Sequence, residues 1–192
     1  MSRLAVIFSG VGYTKDRPLL YYAGKIAASY GYELVSVDFS GVKWSKEELK
    51  DRRRFAEILS ECMKRADQVL GDEDIPESEE ILFISKSIGT VVAAAYAKKY
   101  SLKVRQIFFT PLEAFGSFLE EENGLVFYGN ADPFANYEAV EEICRKYKLE
   151  SYCIEQANHS LETGNMLVNI DKLKLVMKQV DDRIADRSIL SI

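Results

Sequence analysis

The sequence predicts an α/β protein built on a doubly wound, mostly parallel sheet of six strands, with helices on both faces. Short apolar runs alternate with longer helical patterns along the whole chain, and several of these runs are apolar at nearly every position. A strand that is covered on both faces requires such a continuous apolar run. Alternating strands and helices form a parallel sheet through right-handed crossovers.

The predicted strands are the apolar runs, in chain order Leu4–Phe8, Leu34–Phe39, Ile81–Ile84, Val104–Phe109, Leu125–Tyr128 and Leu149–Ile154. Helical patterns occupy residues 15–30, 45–70, 88–100, 112–120, 134–147 and 168–188. Neither an internal repeat nor a linker interrupts this alternation, and the acidic stretch at 71–76 is predicted to be a loop. We therefore expect a single domain over residues 1–192.

Composition narrows the class of protein. A chain of 192 residues with 47% hydrophobic content can bury one substantial core. Its net charge of -5 argues against nucleic acid or an anionic membrane as a partner. The three cysteines lack a C-x-x-C spacing, which favours free thiols in a reducing compartment. No apolar run approaches the roughly 20 residues that span a bilayer. We expect a cytoplasmic protein, and a homo-oligomer is compatible with the sequence.

The segment 85–89 joins a predicted buried strand to a helix rich in small residues. Ser87 has a small residue two positions to either side, Ser85 and Gly89. A very tight strand-to-helix turn accepts only small side chains there and pushes the central hydroxyl clear of the backbone. This pattern predicts a nucleophile elbow, although a serine that caps the helix N-terminus would produce the same sequence.

Further polar loops follow other strands of the predicted sheet. Ligands of such sheets bind beyond the carboxyl ends of the strands, so these loops should share one rim with Ser87. The chain's only histidine, His159, lies in one of them and Asp132 in another. The loops are Ser9–Thr14 after the first strand, Gly129–Pro133 after the fifth and Asn158–Ser160 after the sixth.

Serine, histidine and aspartate together suit acyl transfer. A serine hydroxyl attacks well only when a neighbouring base takes its proton. Histidine, with an ordinary pKa of about 6.5, can accept and return that proton near neutrality, and a carboxylate orients the imidazole. Simpler interpretations remain open: His159 as a surface residue, Asp132 as the opener of a turn, and Glu113 as the acid in its place.

In the order of these three residues, the chain resembles the α/β-hydrolase family from its first strand to its last helix. Ser87, Asp132 and His159 follow the family's order of nucleophile, acid and histidine. The resemblance implies an oxyanion hole formed by the backbone N–H groups of Val11 and Ile88.

Two positions differ from the family pattern. Ser85 stands where the family usually has the first glycine of G-x-S-x-G, and Ser9 stands where a histidine often opens the oxyanion loop. The segment from Thr110 to Gly124, about 15 residues, is too short for an independent cap domain. The chain is therefore similar to small members without a lid, such as esterases and dienelactone hydrolases.

We expect a serine hydrolase that cleaves a small ester or thioester through an acyl-enzyme on Ser87, without a cofactor or metal. Candidates for substrate contact are Tyr13, Lys15 and Tyr128. Lys86, beside the nucleophile, is expected to pack its apolar stem while its amine reaches water.

Two other interpretations stay open. Gly10-Val11-Gly12 follows a strand as in a dinucleotide-binding loop, but Lys15 stands where that fingerprint needs its third glycine. The chain could also be a catalytically silent binding or scaffold protein of the same fold. In that case the apolar tail Ile189–Ile192 is a candidate partner contact.

Overall fold

The computed structural model describes residues 2–43, 45–71, 75, 80–119 and 124–186. Six strands form one sheet in the order β2-β1-β3-β4-β5-β6, and every neighbouring pair is parallel. The predicted doubly wound parallel sheet is thus confirmed. The strands are β1 Arg3–Phe8, β2 Glu33–Val37, β3 Glu80–Lys86, β4 Arg105–Phe109, β5 Gly124–Gly129 and β6 Glu150–Ile154.

Within the described ranges, six α-helices and the 3-10 helix Glu113–Ser117 connect and flank these strands. The predicted helix at 45–70 is divided at Asp51, whose backbone is extended and whose side chain accepts the N–H of Arg54 at 2.8 Å. The predicted helix at 112–120 is reduced to a 3-10 helix over Glu113–Ser117. The α-helices are α1 Pro18–Ser29, α2 Lys46–Lys50, α3 Arg52–Leu70, α4 Ile88–Lys99, α5 Tyr137–Lys146 and α6 Met166–Ala185.

The core lies in two layers, one on each face of the sheet. Consecutive strand residues enter opposite layers, because side chains alternate along a strand. On β3, Phe83 packs in the layer that contains α3, α4 and α5, whereas Ile84 packs in the layer that contains α1 and α6. The strands β1, β3 and β5 are buried at almost every position, which explains their continuous apolar sequences.

The strand order creates a crevice at the carboxyl edge of the sheet. From β1 the chain crosses to β2 on one side, and β3 then pairs on the other side of β1. Loops that leave β1 and β3 therefore diverge, and such a switch point is where ligands bind in open α/β sheets. The loop after β1 and the segment around Ser87 meet at this crevice.

Other expectations concern the periphery. Cys62, Cys144 and Cys153 are free thiols, as predicted. No helix within the described ranges is long and apolar enough to cross a membrane. The loop predicted at 71–76 lies largely outside the described residues, and the tail Ile189–Ile192 lies wholly outside them.

Candidate active site

Ser87 occupies a sharp turn between β3 and α4. Its backbone has φ 57 and ψ -125, a conformation that costs about 1–3 kcal/mol for a residue with a side chain. Neighbouring groups hold it there. Its N–H donates to the carbonyl of Phe109 at 3.1 Å, and its carbonyl accepts from the Thr90 N–H at 2.9 Å and hydroxyl at 2.6 Å. The turn has the geometry of a nucleophile elbow.

The residues that flank Ser87 are small for different reasons. At Gly89 an added Cβ would lie 2.4 Å from the carbonyl oxygen of Ser9 and 2.5 Å from that of Phe8, so α4 can approach β1 only with glycine here. Ser85 is fully buried, and its hydroxyl donates to the carbonyl of Ile107 at 3.1 Å. A serine fits where the family has glycine because this hydroxyl has a partner.

The structure brings Ser87, His159 and Asp132 together over the carboxyl edge. His159 Nε2 lies 2.8 Å from the Ser87 hydroxyl, and His159 Nδ1 lies 2.6 Å from Asp132 Oδ2. The other carboxylate oxygen of Asp132 accepts the Phe134 N–H at 2.8 Å. Side-chain exposure is 17% for His159 and 2% for Asp132, so the pair is largely shielded from water.

This shielding determines the protonation state of the imidazole. Burial and then the charge of Lys86 lower the pKa of His159 below its ordinary 6.5, while the hydrogen bond and charge of Asp132 oppose the change. A neutral ring that donates from Nδ1 to Asp132 presents a lone pair at Nε2 to the Ser87 hydroxyl. The arrangement can therefore take a proton from the serine as it attacks.

Several contacts hold the loop that carries His159. The Thr110 hydroxyl, at the end of β4, donates to the His159 carbonyl at 3.1 Å. The side chain of Asn158 accepts the N–H groups of Ser160 and Glu162 at 2.8 and 3.2 Å. The ring of Phe134 packs against the imidazole, with 4.8 Å between ring centroids. These contacts fix the imidazole from the sheet side and from the β5–α5 loop.

The loop after β1 folds into a tight turn against Ser87. Gly10 and Tyr13 exchange two backbone hydrogen bonds of 3.0 and 3.2 Å, and Gly12 has φ 73. A Cβ added at Gly10 would lie 3.2 Å from the Cβ of Ser87. Among the described residues, neither the Val11 N–H nor the Ile88 N–H donates to a protein acceptor. Both N–H groups thus remain available beside the serine.

Ser9, the position at which the family often has histidine, is used for the sheet. Its hydroxyl donates to Asp38 at 3.1 Å and accepts the Phe39 N–H at 2.9 Å. These bonds join the end of β1 to the segment after β2. The oxyanion loop is therefore anchored by a buried hydroxyl.

The proposed substrate contacts differ in their placement. Tyr13 is half-buried, and its hydroxyl oxygen accepts the Leu19 N–H at 3.1 Å. Lys15 is exposed on the same loop. The assignment of Tyr128 needs correction, since it is only 5% exposed and packs in the core layer with Val140 and Cys144. Burial also raises the pKa of Tyr128 to about 12. The alternation of β5 turns this side chain into the protein.

Glu113 and Lys86 are also placed differently from what the sequence suggested. Glu113, the alternative acid, accepts the N–H of Asn136 at 2.6 Å, whereas Asp132 bonds the imidazole. Lys86 does not extend its amine to water: it is 1% exposed, and its Nζ lies 4.9 Å from the centroid of the Tyr13 ring.

A cleft lined in part by Phe134 was missing from the sequence interpretation. It has a volume of about 410 Å³ and shares Phe134 with the packing around the imidazole. Leu112 lies in the loop after β4 and Phe134 in the loop after β5. Their positions just after strands could have indicated that they line a site. Leu49 of α2 and Phe55 of α3 also line the cleft, but the sequence does not indicate how these helices pack. The apolar lining includes Leu49, Phe55, Leu112, Ala114, Pro133, Phe134 and Ala135.

Comparison with known proteins gives fold relatives only. No protein-family model matches the chain, and no curated protein matches its sequence. Est1E from Butyrivibrio proteoclasticus superposes with a TM-score of 0.69 at 13% identity, over 96% of this chain and 89% of that one. A putative α/β hydrolase from Agrobacterium tumefaciens gives a TM-score of 0.66 at 19% identity, over 94% and 83%.

A serine hydrolase without lid from Xanthomonas campestris gives a TM-score of 0.61 at 16% identity, over 97% of this chain and 85% of that one. Between β4 and β5 the described part of this chain likewise contains only the 3-10 helix. The order of the strands, the elbow turn at Ser87 and the similarity to these structures all indicate the same fold. The chain therefore has the α/β-hydrolase fold, with no lid domain in the part of the β4–β5 connection that is described.

Proposed function

We propose that the protein is a serine hydrolase that cleaves a small ester or thioester through an acyl-enzyme on Ser87. One observation carries the proposal: an unbroken hydrogen-bonded series runs from Asp132 through His159 to a serine in an elbow turn. A fold alone does not identify an activity, whereas this geometry matches the roles that acyl transfer requires.

In the first half of the proposed reaction, Ser87 Oγ attacks the carbonyl carbon while its proton passes to His159 Nε2. Asp132 stabilises the imidazolium that forms. The carbonyl oxygen becomes an oxyanion, and the N–H groups of Val11 and Ile88 are available to donate to it. One such donor contributes about 3–4 kcal/mol to transition-state stabilisation.

In the second half, the tetrahedral intermediate expels the alcohol or thiol, which takes the proton from His159. The acyl group stays on Ser87 as an ester. A water molecule then attacks that ester while His159 takes one of the water's protons, and His159 passes this proton to Ser87 Oγ as the carboxylic acid leaves. His159 thus returns each proton that it accepts, the first to the leaving alcohol or thiol and the second to Ser87.

The apolar cleft next to Phe134 supports a small, mostly apolar substrate. Its volume of about 410 Å³ lies in the usual range for pockets that bind small molecules. In one structure of Est1E, which has a similar fold, ferulic acid is bound. Ferulic acid is a small aromatic carboxylic acid. Short-chain and aromatic esters are therefore the first substrates to test.

The decisive experiment compares Ser87→Ala with the wild-type protein on p-nitrophenyl esters and thioesters of increasing chain length. We expect hydrolysis to fall at least about 10,000-fold, because removing the nucleophile removes the acyl-enzyme route. Ser29→Ala is the matched control, since Ser29 is exposed on α1 and bonds only its own helix.

A fluorophosphonate probe separates catalysis from a silent binding protein. An activated serine should give one covalent adduct on Ser87, and the Ser87→Ala variant should give none. Wild-type rates in Ser87→Ala, or a folded wild-type protein that the probe never labels, would contradict the proposal.

A further inference from the structure

Lys86 is a buried amine directly before the proposed nucleophile. It is the last residue of β3 and only 1% exposed. Lysine is almost never fully buried unless its charge is compensated, because removing an ammonium from water is costly. The proposed reaction assigns no step to this side chain. Its burial therefore needs an explanation from the groups around it.

The side chain lies beneath the turn that follows β1. Its Nζ is 4.9 Å from the centroid of the Tyr13 ring, an arrangement that attracts a cation to the ring face. The stem lies close to the start of the turn, since a Cβ added at Gly10 would lie 3.4 Å from Lys86 Cγ. Val11, whose N–H is available beside Ser87, lies between these two contacts.

Tyr13 is itself fixed at its far end. Its hydroxyl accepts the Leu19 N–H at the start of α1, and its backbone is bridged to Gly10. A ring held at both ends can transmit the position of the amine to the turn. Substituting Lys86 should thus change the placement of the Val11 N–H without touching the substrate.

The charges that face Lys86 come from the other two loops of the site. Asp132 attracts the ammonium, and the protonated form of His159 is repelled by it. Arg17 and Glu162 act on the Tyr13 hydroxyl. Burial lowers the pKa of Lys86 to about 7, and the charge of Asp132 opposes this change.

We propose that Lys86 is a positioning residue: it holds Tyr13, and with it the turn that carries the Val11 N–H, against the elbow. The expected effect on catalysis rests on the proposed hydrolase function. The effect of the Lys86 charge on the imidazole can in addition be measured without turnover.

The main variant is Lys86→Met, which keeps an apolar stem and removes the amine. We expect kcat to fall about tenfold with KM changed less than about twofold, because a displaced oxyanion donor weakens binding of the transition state alone. The pKa of His159 should rise, and the acid limb of the kcat/KM profile should move to higher pH by the same amount.

NMR titration measures the pKa of His159 directly, because the chain contains one histidine and its ring signals are unambiguous. The titration compares Lys86→Met with the unaltered lysine in a Ser87→Ala background. Tyr13→Leu is the companion variant: it removes the ring but leaves the charge. It should lower kcat while the imidazole pKa remains below that of Lys86→Met.

Wild-type kcat together with a wild-type imidazole pKa in Lys86→Met would overturn the proposal and leave Lys86 as packing only. If Lys86→Met does not fold, Lys86→Gln replaces it and the same criteria apply. If Ser87→Ala retains hydrolysis, the proposed function fails, whereas the NMR comparison still decides whether Lys86 sets the protonation of His159.

Discussion

The three consecutive residues Ser85, Lys86 and Ser87 each occupy a position that is unfavourable for their type. Ser85 buries a hydroxyl in the strand interior, Lys86 buries an amine, and Ser87 has a positive φ. Costs of this kind persist only where surrounding contacts compensate for them, and they concentrate at functional sites. Here the compensation comes from backbone acceptors, the ring of Tyr13 and the packing of α4.

The protonation of His159 predicts the pH dependence of the reaction. Only the neutral imidazole accepts a proton, so kcat/KM should be high above its pKa and fall tenfold per pH unit below it. Burial and Lys86 lower that pKa below 6.5, so the midpoint of the acid limb should lie below pH 6.5.

The profile is measured from pH 4.5 to 8, with circular dichroism at each pH to exclude unfolding. A midpoint above 6.5, or a flat profile, would contradict the assignment of His159 as the base.

The sequence predicted Ser87, Asp132 and His159 because their types and order are themselves the signal. Tyr128 was placed wrongly because the face that a strand-end residue occupies depends on the pleat, which a short apolar run leaves undetermined. The expectation that the Lys86 amine reaches water was wrong because it relied on the general tendency of lysine. The turn that covers this side chain is formed by residues more than 70 positions earlier, so the local sequence does not reveal it.

At the scale of elements, α4 and β1 approach each other closely beside the site. This approach places the N-terminus of α4, and so the Ile88 N–H, beside the loop after β1. Gly89 permits this contact because the carbonyl oxygens of Phe8 and Ser9 occupy the space of a side chain.

We therefore expect Gly89→Ala to destabilise the fold by about 1–3 kcal/mol, the usual cost of overpacking, and to reduce kcat as α4 moves away. Gly164→Ala is the matched control, because an added Cβ there would meet nothing within 4 Å. Urea unfolding and ester hydrolysis measure the two effects. Equal stability and activity in both variants would contradict the close contact.

All six strands were predictable, with boundaries that differ from the structure by no more than two residues. The helices were less so. The break at Asp51 depends on a single side chain that caps α3, inside a run with otherwise continuous helical character. The short 3-10 helix at Glu113–Ser117 replaces a predicted longer helix, and Gly116 within it packs against Ile143 of α5.

At the scale of the molecule, the proposed catalytic residues and the contacts that anchor the end of α6 lie at opposite edges of the sheet. The carboxyl edge carries the loops of Ser87, Asp132 and His159, whereas the amino end of β4 carries Arg105, which is 2% exposed. Its guanidinium donates to the Asp186 carbonyl at 3.0 Å and the Arg183 carbonyl at 3.1 Å, at the end of α6. It also donates to the hydroxyl of Tyr32, which precedes β2.

This arrangement predicts that Arg105→Met lowers the free energy of unfolding by about 2–4 kcal/mol, since the carbonyl groups at the end of α6 lose their donor. The kcat of the folded variant should stay within about twofold of wild type, because the five residues of β4 separate the two ends of the sheet by roughly 13 Å. Arg53→Met is the control, as that side chain is 89% exposed and its ion pair with Glu57 contributes little. Thermal and urea unfolding measure stability, and hydrolysis at 25 °C measures kcat. A large loss of kcat without loss of stability would mean that α6, whose N-terminus follows the His159 loop, transmits changes from one edge of the sheet to the other.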